Sequence, residues 1–134
     1  MLAYQPSSGR VGKSIVGSVV NFTATAGTTN YSTPWYKSVS TTEVHQRAVL
    51  PRGGTLGNCY AYIKTASSGG NATTLTAMKN GSPGNCSVVI NSGVSGVVNG
   101  TGTDTFAARD QVDMRIASVG GTGPVIASWS SDLH

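Results

Sequence analysis

Glutamate is almost missing from this sequence: Glu43 is its single copy, lysine occurs four times and leucine five. Helices draw on those three residues because they lose little rotamer freedom there, so their shortage excludes a helical bundle. Charge is also scarce, at 10% of residues, which excludes the usual composition of a disordered chain, high in net charge and poor in β-branched residues. No uncharged apolar run approaches the roughly 20 residues a membrane helix needs, so no membrane partner is expected. Two cysteines, Cys59 and Cys86, are too few for a disulfide scaffold or for a zinc site with about four closely spaced ligands. The first ten residues contain no charged leader followed by an apolar stretch, so no secretion signal is read there.

Nine Lys and Arg against five Asp and Glu give a net charge of +4. The cations are scattered from Arg10 to Arg115 without the stripe or interleaved aromatics that a phosphate-tracking groove needs, so nucleic acid is not an expected partner. A loosely anionic protein surface remains open as a partner.

What is plentiful is small or turn-forming: 18 Gly, 17 Ser, 16 Thr and 8 Asn among 134 residues. Together with abundant Val, Ile and Thr, this composition favours short strands joined by many turns. Residues 1–14, with Pro6, Gly9 and Gly12 and no periodicity, read as an extended N-terminal arm. Strands are expected over residues 15–25, 33–39, 43–50, 59–65, 73–79, 86–90, 97–105, 112–118 and 125–129, with turns at 26–30 and at Asn80-Gly81, the strongest hairpin signal present. Within 59–65, Cys59, Ala61 and Ile63 alternate with Tyr60, Tyr62 and Lys64, which assigns the first three to a core face. The expected fold is therefore all-β: an antiparallel β-sandwich of about eight strands over residues 15–134, preceded by the arm.

Chemistry is thinly represented. Residues 7–14 resemble the end of a phosphate-binding loop, but no strand precedes them and a strand follows where a helix is required. No Gly-x-Ser-x-Gly elbow accompanies His45, His134 or the three aspartates Asp104, Asp110 and Asp113, so an enzyme is not expected. Those aspartates match no calcium loop, Arg109 and Arg115 stand among them, and turn or ion-pair roles follow; neither a metal nor a cofactor is expected. Cys59 and Cys86 both fall on inferred core faces, either as buried thiols, the favoured reading, or as a disulfide whose required distance periodicity cannot supply. Trp35, Tyr36, Tyr60, Tyr62 and Trp129 are large aromatics that suit either an oligomer contact, the favoured reading, or a ligand surface stacking on sugars.

An ordered set of segments also carries a resemblance. Pro51-Arg-Gly-Gly-Thr-Leu-Gly-Asn-Cys-Tyr-Ala-Tyr-Ile63 is followed by Thr74-Leu-Thr-Ala-Met-Lys-Asn-Gly81, Asn85-Cys-Ser-Val-Val-Ile90, Gly102-Thr-Asp-Thr-Phe106 and Ala107-Ala-Arg-Asp-Gln-Val-Asp-Met-Arg-Ile116. Across about residues 43–129 this succession resembles the trimeric tumour-necrosis-factor-like jelly-roll domains of bacteriophage structural proteins, with Arg109 where the family usually has Gly. The resemblance implies a jelly roll, a homotrimer, no catalytic residues and a place in the virion; the short arm and the lack of a coiled-coil or β-helical shaft favour a capsid decoration (cement) protein, assembled in the host cytoplasm onto the outer surface of the major capsid protein lattice. The arm residues Gln5, Arg10 and Lys13 would then contact the capsid. A receptor-binding fibre or spike domain recognising host-surface glycan is the alternative it leaves open.

Overall fold

Branched side chains at every second position need two flat layers to close a core between them. The computed structural model, which describes residues 14–25, 27–68, 72–119 and 123–134, supplies two antiparallel sheets. Their strands are β1 (Ser14–Thr23), β2 (Thr29–Ser32), β3 (Val39–Ser40), β4 (Ala48–Val49), β5 (Gly54–Thr65), β6 (Thr73–Lys79), β7 (Ser82–Ile90), β8 (Gly96–Asn99), β9 (Asp104–Phe106), β10 (Gln111–Ser118) and β11 (Val125–Leu133). One sheet runs β1-β11-β5-β8, with β9 also on β5; the other runs β3-β2-β10-β6-β7, with β4 on β10. The expected arm, with Gln5, Arg10 and Lys13, lies outside the described residues.

The sheets pack into an all-β sandwich. Val16, Leu56, Ile63, Ile126 and Trp129 from the first meet Leu75, Val88, Val112, Met114 and Ile116 from the second, each 2% exposed or less. Each buried Leu, Ile or Val contributes about 1.5–3 kcal/mol by leaving water. Polar groups inside are matched across the layers. The Trp129 Nε1–H donates to Ser32 Oγ at 2.9 Å, and the Asp104 carboxylate accepts the backbone N–H groups of Asn85 at 2.7 Å and Cys86 at 2.9 Å. Gly84 lets that carboxylate approach, since a Cβ there would stand 2.5 Å from Asp104 Oδ2. Cys59 on β5 and Cys86 on β7 form a disulfide, Cα–Cα 6.4 Å, so the favoured reading of two free thiols is corrected. The pair had to lie opposite one another on two sheets, a relation no periodicity reveals.

Three expected strands change. Residues 43–50 begin as a 3-10 helix, Glu43–Gln46, before β4. Arg47 reaches back to Glu43, Nε to Oε1 at 2.7 Å, a contact that extended backbone, rising about 3.3 Å per residue, would pull apart. Residues 33–38 form a loop that ends where β3 begins at Val39, and the main strand falls earlier, at β2, where β10 offers a partner that pairs Tyr31 with Arg115 and Thr29 with Ala117. Residues 97–105 divide into β8 and β9, with Thr101 bridging to Ser87 between them. These divisions give eleven strands among the described residues where about eight were expected. The hairpin β6–β7 turns at Asn80 and Gly81, φ 52° and 84°, the left-handed pair that a two-residue turn matching strand twist requires.

Candidate functional site

Strict alternation along β5 buries Cys59, Ala61 and Ile63 and sends Tyr60 and Tyr62 outward, 40% and 49% exposed. Register then builds a surface around them. Tyr62 stands between Ser128 of β11 and Val97 of β8, and Tyr60 between Ser130 and Asn99. On the far side of β11, Val19 of β1 pairs with Ser128 and Gly17 with Ser130. The row Val19, Ser128, Tyr62, Val97 thus crosses four strands, about 15 Å at the usual strand spacing. Val19 and Val97 are 70% and 68% exposed, and Ile15 nearby 68%. Exposed apolar and aromatic side chains gathered on one face of a sandwich are the kind of patch through which proteins make contacts.

The loop 33–38 closes the β1 side of this face. Trp35 anchors it twice, donating its backbone N–H to the Gly17 carbonyl and its Nε1–H to the Ile15 carbonyl, both at 2.6 Å. The Ser18 hydroxyl donates to the Tyr36 carbonyl at 2.9 Å. These bonds occupy groups that an open edge strand would present to another chain. Between loop and sheet lies a cleft of about 490 Å³, lined by Ile15, Ser18, Val19, Trp35, Tyr36, Lys37, Ser128 and Ser130 among others. Four of the five aromatics singled out in the sequence therefore meet on one side of the molecule, Tyr60 and Tyr62 in the middle of the sheet and Trp35 and Tyr36 on its flank. Trp129 leaves the group, being 2% exposed and bonded to Ser32 inside the core.

The carboxylates are dispersed. Asp104 holds the Asn85 and Cys86 amides, while Asp110 accepts the Asn80 side-chain amide at 3.0 Å and the Ala107 N–H at 2.7 Å, and these bonds hold its carboxyl below the usual carboxylate range. Asp113, on β10 in the opposite sheet, is 1% exposed beneath the 3-10 helix. Burial pushes its carboxyl up to about 8, with a hydrogen bond to Glu43 and that residue's charge acting in the same direction. The Arg47 guanidinium holds Glu43 below its ordinary value. Ionised, both Asp113 oxygens and Glu43 Oε2 would be buried without a donor; a proton on Asp113 turns one of the three into a donor for another. Among the described residues no group of three His, Cys, Asp or Glu is placed to hold a metal. His45 and His134 are both exposed, on the 3-10 helix and at the chain end.

Sequence reasoning missed the exposed Val97 beside Tyr62, the exposed Ile15 and Val19 at the cleft, and the Glu43–Arg47–Asp113 group. No family model matches the chain, and neither a curated protein nor a solved structure matches it.

Proposed function

We propose that the chain is a non-enzymatic virion structural protein, a decoration protein that sits on the outside of a bacteriophage head as a homotrimer and stabilises the major capsid protein lattice. The observation that carries this reading is the exposed face centred on Tyr60, Tyr62 and Val97, a self-association surface of the kind symmetric oligomers use. Strand order supports the jelly-roll part of it. Counting β8 and β9, which both pair with β5, as one position and leaving aside the short β3 and β4, the sheets run 1-8-3-6 and 2-7-4-5, the wiring of two Greek keys folded over one another. Three arms projecting from one rigid trimer, each weakly held through Gln5, Arg10 and Lys13, would clamp neighbouring capsid subunits far more tightly than one arm alone. Deleting residues 1–13, which leaves β1 whole, is expected to abolish binding to undecorated phage heads while the trimer still forms. Retained binding would overturn the role of the arm.

A second reading, a glycan-recognising fibre or spike domain, is favoured by the cleft beside Trp35 and Tyr36. It predicts that the purified protein adsorbs to host cells.

A further inference from the structure

We infer that the cleft between the 33–38 loop and the β1–β11 ribbon is a saccharide-binding site whose occupant is a pyranose carrying a carboxylate. The inference rests on the recognition reading and gives it a ligand class.

Trp35 has a left-handed backbone, φ 62°, a conformation that bulky residues seldom adopt and that marks a position worth explaining. A turn needing only a positive φ would take Gly or Asn. What tryptophan adds is a large ring held at the cleft by its two bonds to β1 and still 53% exposed. Because the indole N–H is already bonded to the Ile15 carbonyl, the ring has no donor left for a ligand and presents its flat surface instead. Tyr36 follows, 71% exposed. Flat aromatic surfaces take the C–H side of a pyranose, burying apolar area with a defined orientation. On the sheet side, Ser128 and Ser130 project from β11, and a hydroxyl is both donor and acceptor, matching the hydroxyls of a sugar. The cleft, open to solvent along one side and about 490 Å³, has the volume of a small-ligand site.

The charge comes from Lys37, which lines the same cleft and has no ion pair among the described residues. An ammonium beside bound sugar favours a carboxylate there. Asp132, across from Ile15 on β11, accepts from the Asn58 side-chain amide at 3.1 Å, a neutral partner, so Lys37 and the chain's net charge of +4 act against it.

The test uses the purified full chain with methyl glucuronide and methyl glucoside, followed by ligand-observed saturation-transfer NMR, with assembly mass measured by sedimentation on the same samples. Saturable transfer to both sugars is expected, several-fold tighter for the glucuronide, and Lys37→Met should remove that preference. Trp35→Gly, which keeps the left-handed backbone, and Tyr36→Ala, at an exposed position, should each weaken binding by about tenfold with assembly mass unchanged. No saturable transfer to either sugar, or equal binding by wild type and both aromatic variants, would overturn the proposal. A drop in assembly mass in those variants would overturn it too, by showing that a second copy covers the cleft. If free sugar binds as described but the protein does not adsorb to host cells, the recognition role falls and the site stands.

Discussion

Replacing Asp113 by asparagine should change the pH dependence of stability more than the stability itself. The Asp113 carboxyl is 1% exposed and pushed up to about 8, so the folded chain keeps a proton that the unfolded chain releases above about 4. Its contribution is therefore fully present in acid and is lost as pH rises from about 4 to about 8, at up to about 1.4 kcal/mol per pH unit. Glu43 works in the opposite sense: its lowered pKa gives stability that is present above the unfolded value and is lost as pH falls through the folded one. Together they place the optimum of this cluster where Glu43 is charged and Asp113 is not. Some rearrangement around the ionised pair will return part of the loss, leaving about 2–5 kcal/mol between pH 5 and pH 9. The amide of Asp113→Asn keeps the shape and offers Glu43 Oε2 a donor at every pH, where the carboxyl offers one only while it is protonated. Urea unfolding followed by the fluorescence of buried Trp129 should show the wild-type midpoint falling across that range. The variant should stay nearly level, matching wild type within about 1 kcal/mol at pH 5 and exceeding it at pH 9. Parallel pH profiles for the two proteins would refute the shared proton.

Two further outcomes are expected. Reducing the Cys59–Cys86 bridge, which closes a separation of 27 residues, should lower the unfolding free energy by about 3.5 kcal/mol through restored freedom of the unfolded chain, read as a shift in the urea midpoint with and without reductant. Changing Tyr60 and Tyr62 together to serine should convert the proposed assembly of three 13.6 kDa chains into monomers by light scattering, with an unchanged far-ultraviolet spectrum; a persistent trimer would move the interface elsewhere, and a monomeric wild type would overturn the trimer itself.

The sandwich was legible because β5 alternates from Asn58 to Lys64, Cys59, Ala61 and Ile63 inward and Tyr60 and Tyr62 outward, so one strand shows both its core face and its exposed face. β1 hid the rest of that face. Its apolar residues occur on both sides, Val16 and Val20 inward and Ile15 and Val19 outward, and period-2 reasoning cannot then say which side is free. The 3-10 helix was illegible for another reason: Glu43 and Asp113 lie far apart in sequence, and the chain leaves the extended form where burial and Arg47 reward a turn. Trp35 defeats turn chemistry outright, because its left-handed backbone is upheld by carbonyls of Ile15 and Gly17 on another strand. Both cysteines were readable as core positions, whereas their pairing depends on how the two sheets face each other.

The proposed role stands or falls on how many copies of this protein a virus particle carries. Quantitative mass spectrometry of purified particles, with the major capsid protein as the internal standard, measures that number directly. Hundreds of copies in a simple ratio to capsid subunits are expected of a lattice-wide decoration protein; a few copies, or none, would contradict it.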